Sequence, residues 1–314
     1  MDSLYQELKK YGQVKANEPL AKYTSYKIGG PADYLVVVEE TEKLVAILRY
    51  LTTHGLDYLI IGGGSNILFS DEGYRGIVII NQCRHLEIKD NRMVVDSGCP
   101  LGWLTQQASQ AGLSGLAWAV GIPGTIGGAI RGNAGIPQGE IRENVEQVEV
   151  YRDGEVLKLD NQGCRFGYRE SIFKKNNDVI LRAWLTLGVV DKQKDISLML
   201  TFLKERQTKQ PQGSQSAGSV FKNIDCRSLS SEIKEKIPPE VCHSGWLAAG
   251  WLIEQVGLKG QMCGRAQISP KHSNFILNLD RAKSQDVQQL IALCREKVYN
   301  KFGIELEEEI KIIK

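Results

Sequence analysis

The 314-residue sequence contains no Cys-x-x-Cys pair. Its seven cysteines (Cys83, Cys99, Cys164, Cys226, Cys242, Cys263 and Cys294) form an odd, scattered set. A disulfide framework is not expected from such a set. Cys242-His243 with Cys226 and Cys263 matches no zinc-finger spacing, so no metal is expected and the cysteines read as buried or half-exposed thiols. Charge of one sign is also scarce: 39 Lys and Arg stand against 37 Asp and Glu, and no charged block exceeds Glu307–Glu309. That excludes the concentrated basic patch of a nucleic-acid or membrane-surface binder. The phosphate-binding pattern G-x-x-x-x-G-K-[ST] is missing, as is the G-x-S-x-G nucleophile elbow. Histidine occurs only at positions 54, 85, 243 and 272. The most apolar stretch, residues 113–130, is broken by glycines and Pro123 and makes a poor membrane span. The opening "MDSLYQELKKYG" has no apolar core or cleavage site, so no signal peptide and a cytosolic location are expected.

What is present reads as one large or two ordinary globular domains, with 42% hydrophobic and 24% charged residues. Strands are expected at 32–38, 57–62, 76–81 and 178–188, the last long enough to end a sheet layer. Residues 41–55 read as a helix with Thr41 at the cap, Gly55 at the stop and an apolar stripe of Leu44, Val45, Ile47, Leu48 and Leu51. Hairpins are expected around Asp90-Asn91 and Asp153-Gly154. Composition turns polar over 191–218, placing a boundary near 190–212. Beyond it come helices at about 229–237, 246–257 and 284–301 and a terminal strand at 303–313. The class is α+β, with a strand-rich first unit and a helix-rich second.

Two glycine-rich loops stand out. "IGGGSNIL" (61–68) follows a strand but lacks the third glycine and the helix of a Rossmann fingerprint. Its amides suit either an anion-binding nest or a plain tight turn. "GIPGTIGGAIRGNAG" (121–135) places six glycines in fifteen positions. So much backbone entropy is lost on folding only where the chain must turn sharply or lie flat against something. The pair fits a long ligand held from two sides, a dinucleotide with a diphosphate and a flat ring, or else two unrelated surface turns.

Three polar motifs follow. "GYRESIF" (167–173) offers Arg169 as a bidentate carboxylate clamp or as ordinary surface. "SAGSVFKN" (216–223) places Ser219 in a small-residue turn with no Asp/His partners of the hydrolase kind, so a working Ser219 gives a proton rather than attacks. In "ELEEEIKII" (305–313), alternation puts Ile304, Leu306, Ile310 and Ile312 on one face together with Glu308, and Glu305, Glu307 and Glu309 on the other. Alternation does not choose among the acids.

"YTSYKIGGPADYLV" (23–36), "GGGSNILFSDEGYRGIVI" (62–79), "GLSGLAWAVGIPGTIGGAIRGNAG" (112–135), "FGYRESIF" (166–173), "SAGSVFKN" (216–223), "GWLIEQVGLKG" (250–260) and "FGIELEEEI" (302–310) occur in that order. Together they resemble the UDP-N-acetylmuramate dehydrogenase (UDP-N-acetylenolpyruvoylglucosamine reductase) family over about residues 20–313. The resemblance implies a lead-in at 1–21, an FAD-binding domain of the PCMH or vanillyl-alcohol-oxidase type at 22–192, and a smaller α+β substrate-binding domain at 193–314. It implies non-covalent FAD, with Gly62, Gly63, Gly64, Ser65 and Asn66 at the diphosphate. Gly121, Pro123, Gly124, Gly127, Gly128, Asn133 and Gly135 would then line the flavin. The family's catalytic positions fall on Arg169, Ser219 and Glu309, the last being the second acid of its L-E-x-E-[VI] motif. Tyr168, Lys222, Asn223 and His272 are candidates for the sugar nucleotide, with Lys271 and Asn274 beside them. A capping loop found in one subgroup is expected to be absent, because only fifty positions separate Arg169 from Ser219. Residues 224–245 look like an insertion instead.

The implied reaction takes hydride from NADPH to the flavin and then to an enolpyruvyl sugar nucleotide. Ser219 protonates the resulting carbanion, and Arg169 and Glu309 flank its charge. The chain is expected to act as a monomer on a small-molecule substrate, without nucleic acid or membrane. Two other readings stay open: an oxidase of the same flavin fold, and a non-catalytic flavin- or sugar-nucleotide-binding protein.

Overall fold

The computed structural model describes residues 3–242 and 245–314, so His243 of the weighed zinc set lies outside the described residues. Among those described, no group of three or more His, Cys, Asp or Glu is placed to hold a metal ion. Among the described residues, no helix is long and apolar enough to cross a membrane.

The chain divides into two compact units. The first comprises residues up to Glu18, Ala32–Gly63 and Arg75–Arg206; the second comprises Pro19–Pro31, Gly64–Tyr74 and Gln207–Lys314. The sequence placed one main cut after residue 192, but two early segments pack with the C-terminal part. Tyr26, Ile28 and Leu68 are buried in the same core as Val220, Leu247 and Ile310. The strand Ile67–Phe69 pairs in parallel with Lys311–Ile313. A composition shift marks where the chain changes character, not which distant segments share a core.

The first unit contains two sheets. One has four strands in the order Gln13–Pro19, Pro31–Val38, Tyr74–Asn81 and Tyr58–Ile61. The last two run parallel. The helix Thr41–Thr53 turns Leu44, Ile47, Leu48 and Leu51 into a core shared with Val36, Val38, Ile77 and Ile79. Each such side chain contributes roughly 1.5–3 kcal/mol of burial. The helix begins one residue early: the Leu44 amide already bonds to the Glu40 carbonyl at 2.9 Å, so Thr41 is the first helical residue and not the cap.

The other sheet is antiparallel and five-stranded, in the order Glu155–Asp160, Val145–Arg152, Val179–Thr186, Arg92–Asp96 and Leu86–Lys89. Its hairpins turn at Asp90 and at Asp153-Gly154, with positive φ as tight turns require. Val179–Thr186 is the middle strand, where the sequence reading put it at the end of a layer. Its first residues are buried on both sides, Ile180 in one core and Val179 and Leu181 in another; a register shift against Val145–Arg152 follows, and Ala183 and Leu185 return to the first core.

The second unit is built on the antiparallel strands Met262–Cys263, Ala266–Ile268 and Ile276–Asn278. The helices Ala249–Gln255 and Ser284–Phe302 bury Leu252, Ile253, Val287, Leu290, Ile291 and Val298 in its core. The helix expected at 229–237 shrinks to Ser231–Lys234, because Pro238 and Pro239 follow and stop it. Cys226 and Cys242 are joined in a disulfide, against the expectation that all seven thiols are free. Sixteen residues of separation gave no local sign that folding would bring the two together. The terminal strand is confined to Lys311–Ile313, although Ile304, Leu306 and Ile310 are buried as the alternation required.

Candidate functional site

In the first unit the two glycine-rich loops lie against each other. A Cβ added at Gly63 would sit 2.8 Å from the Cα of Gly124, and one at Gly62 would collide with the Thr125 hydroxyl. Main chain is packed on main chain there, and the glycines permit it. Thr125 also caps the short helix Ile126–Gly132, its hydroxyl accepting from the Gly128 amide at 3.3 Å. Gly127 is bare because Ser97 lies under it, and Gly135 because Glu140 does. Gly128 differs. A Cβ there meets nothing nearer than the Thr125 hydroxyl at 3.7 Å, so protein packing does not demand glycine at this position.

Asn133 ends that helix in the left-handed conformation, with φ 41°, and is fully buried. Its amide nitrogen donates to Glu140 Oε2 and to the Gly167 carbonyl, each at 2.8 Å, and its oxygen accepts from the Arg142 amide at 3.3 Å. Both side-chain protons are therefore spent on the protein, and Asn133 anchors the turn that carries Arg169. In that turn Gly167 and Glu170 exchange backbone hydrogen bonds around Tyr168-Arg169. Arg169 has φ 53°, a region that non-glycine residues enter at a cost of about 1 kcal/mol or more. Its Nη2 donates to the Gly135 carbonyl at 2.6 Å, and its guanidinium lies 5.2 Å from the Tyr168 ring centre. Lys174 Nζ donates to the Arg169 carbonyl at 2.7 Å. Ser171 Oγ ties the turn to the Arg131 carbonyl, and burial holds the Arg131 guanidinium below its usual pKa.

In the second unit the segment Ser219–Lys222 runs between two others. On one side the Val220 amide bonds to the Asn274 carbonyl at 2.8 Å, and the Asn274 side chain exchanges two bonds with the Phe221 backbone. On the other side the Glu309 amide donates to the Val220 carbonyl at 2.7 Å and the Lys222 amide to the Glu307 carbonyl at 2.9 Å. Glu309 is thus aligned with Val220, the neighbour of Ser219. The three acids part company here. Lys222 Nζ reaches Glu307 at 2.6 Å and Arg295 reaches Glu308 at 3.1 Å. Glu309 is held through its backbone, whose carbonyl accepts from Asn66 Nδ2 at 3.0 Å. Gly64 is bare because the Tyr23 carbonyl lies against it. Asn223 Oδ1 accepts from the Ala249 amide at 3.2 Å. His272 Nδ1 accepts from the Asn274 amide at 3.3 Å, and burial lowers its pKa. Lys271 Nζ donates to the Gln207 carbonyl at 2.7 Å.

The sequence reading had no role for Thr125 or Glu140, and it placed Asn274 at a ligand where it binds main chain. For Thr125 a signal existed, a threonine directly before a short helical run. Glu140 acts on Asn133 seven positions before it and Asn274 on Phe221 fifty-three before it, and neither left a local signal.

These arrangements define a two-part chain: a glycine-loop unit and an acid- and serine-bearing unit. A family model described as an FAD binding domain matches residues 31–160. One described as the UDP-N-acetylenolpyruvoylglucosamine reductase C-terminal domain matches residues 210–313. The class is therefore a PCMH-type FAD-binding fold followed by that C-terminal domain. The UDP-N-acetylenolpyruvoylglucosamine reductase of Caldanaerobacter subterraneus subsp. tengcongensis is 38% identical over 309 residues, covering 98% of this chain and 96% of its own. That of Clostridioides difficile is 39% identical over 303 residues, covering 96% and 93%. The crystal structure of UDP-N-acetylenolpyruvylglucosamine reductase from Thermus caldophilus superposes with a TM-score of 0.77 at 33% identity, covering 96% of this chain and 98% of its own. The chain belongs to the UDP-N-acetylenolpyruvoylglucosamine reductase family.

The residues present fit FAD. The two abutting loops give a stretch of backbone almost bare of side chains, and Gly128 is exposed, with only the Thr125 hydroxyl within 4 Å of where its Cβ would stand. A flat ring needs such a surface.

Proposed function

We propose that this chain is an NADPH-dependent flavoenzyme that reduces UDP-N-acetylglucosamine enolpyruvate to UDP-N-acetylmuramate in peptidoglycan precursor synthesis, acting as a cytosolic monomer. The observation that carries the reading is the backbone pairing of Glu309 with Val220, which lays the segment of a candidate acid alongside that of Ser219 in a reductase-family chain.

Bound FAD supplies a hydride acceptor and donor. The glycine loops would hold it: Gly62–Asn66 at the diphosphate and Gly121–Gly128 along the flavin. Arg169, whose Nη2 donates to the Gly135 carbonyl, is assigned to the substrate carboxylate and to the charge that grows there. Ser219 holds the proton that closes the reaction at carbon. A hydroxyl is a weak acid, but an enolate is a strong base, and a donor held in contact keeps water out. A bare carboxylate would repel that anion, so Glu309 acts protonated or as the acceptor that orients a donor. Tyr168, Lys222, Asn223 and His272 are assigned to the sugar nucleotide, with Lys222 sharing its charge with Glu307.

The test is anaerobic. NADPH is expected to bleach the yellow protein, and the enolpyruvyl sugar nucleotide to restore the colour. Bleaching without recolouring would favour an oxidase or a binding protein.

A further inference from the structure

The Cys226–Cys242 disulfide lies in the segment that no part of the proposed reaction uses. The other five cysteines are free. Burial raises the thiol pKa of Cys83 to about 11 and those of Cys99, Cys164 and Cys294 to about 12, which keeps them from reacting as thiolates. Cys263 is engaged with Gln289 at 2.8 Å. Among the described residues the Cys226–Cys242 pair is the one disulfide, and Cys242 is half-exposed. Disulfides of cytosolic proteins are usually transient and redox-sensing rather than structural.

The loop closed by this bond has little structure of its own. Between its cysteines it forms one four-residue helical turn, Ser231–Lys234, and two 3-10 turns. Leu229, Ile233, Ile237 and Val241 fasten it to the core of the second unit. Both of its ends adjoin the Ser219 segment. Ile224–Asp225, which continues Ser219–Asn223, pairs with Trp246–Leu247 just past the loop. Asn223 is tied to Ala249 on that same far side. Opening the bond removes the covalent tie between the loop's two ends, which then rests on these short contacts and on the packing of Leu229, Ile233, Ile237 and Val241.

We propose that Cys226 and Cys242 form a thiol–disulfide switch that tunes the second unit's hold on its sugar-nucleotide substrate, the bonded form being the tighter one. This rests on the function proposed above. In the exchange a thiolate of a dithiol attacks one sulfur and expels the other as a thiolate. The reagent's second thiolate then displaces the protein sulfur from the mixed disulfide. The dithiol is oxidised to a disulfide, and the protein gains two electrons and two protons.

The test uses the FAD-loaded wild-type protein, before and after dithiothreitol and anaerobic desalting. Reduction is expected to expose two further alkylatable thiols, at Cys226 and Cys242. NADPH bleaching should be unchanged, while KM for the sugar nucleotide in recolouring rises at least threefold; reoxidation with oxidised glutathione reverses it. The double variant Cys226→Ser, Cys242→Ser should stay in the weak state and ignore dithiothreitol. Equal KM in both states, a double variant that still responds, or both cysteines alkylated without reductant would overturn the switch. Trypsin provides a readout independent of activity: cleavage after the exposed Arg227, Lys234 and Lys236 should accelerate at least fivefold on reduction. Unchanged cleavage counts against the switch even if turnover responds. Failure to bleach or recolour in either state sinks the proposed function, and the switch's substrate with it, whereas failure of the redox response alone sinks only the switch.

Discussion

The side chain of Asn66 donates to the backbone carbonyl of Glu309 at 3.0 Å, across 243 positions of sequence. A residue of the first glycine loop thus fixes the main chain of a candidate catalytic acid. Asn66→Ala should lower the recolouring rate about tenfold and cost about 0.5–1.5 kcal/mol of stability. Asn66→Asp should be worse than alanine, because it sets a carboxylate against the Glu309 carbonyl. Stopped-flow recolouring and thermal melts of both variants check this; equal rates in all three proteins would detach Asn66 from Glu309's role.

Ser219→Ala should bleach with NADPH at the normal rate. Its recolouring should fall by roughly 10²–10⁴, the usual loss when a positioned proton donor is removed. A normal recolouring rate would take Ser219 out of the mechanism.

Gly63→Ala and Gly128→Ala separate two reasons for glycine. The first puts a Cβ 2.8 Å from Gly124 and should destabilise the unit whether or not flavin is present. The second meets only Thr125 at 3.7 Å, and alanine is favoured in a helix by roughly 0.5–1 kcal/mol. The flavin-free Gly128→Ala protein should therefore melt no lower than the parent, yet bind FAD at least tenfold more weakly. Unchanged FAD affinity by fluorescence titration would show that no ring lies on that face.

Asn133→Ala should cost about 2–4 kcal/mol. It leaves the Gly167 carbonyl and Glu140 short of a donor and places alanine at positive φ. Denaturant melts measure the loss. Asn133→Gly tolerates the backbone, so it should recover part of the stability without restoring the Arg169 turn.

His272 gives a pH signature. Burial sets its folded pKa below the ordinary value of 6.5. Between the folded and ordinary values the unfolded chain binds more protons, so stability rises with pH there. It is lost as pH falls below about 6.5 and levels off once the folded form is also protonated. His272→Gln should flatten that part of the profile in melts taken from pH 7.5 to 5; a profile identical to the parent's would exclude His272 as its source.

The regular elements of the first unit were legible because they are local. Leu44, Ile47, Leu48 and Leu51 repeat at helical spacing, and Asp153-Gly154 admits a tight turn wherever it occurs. The site was half legible. Glycine density marked both loops, but not that Gly62 and Gly63 abut Gly124 and Thr125. The run Glu307–Glu309 showed three equal carboxylates; only folding gives Lys222 to Glu307 and Arg295 to Glu308.

The sequence alone determined the α+β class, the order of motifs and the family, since each depends on residue types at short spacing along the chain. Tertiary structure alone decided that residues 19–31 and 64–74 join the C-terminal unit, that Cys226 bonds Cys242, and that Asn66 holds Glu309. Those outcomes depend on which distant segments can share a core and satisfy one another's hydrogen bonds, a property of the packed chain that no local window contains.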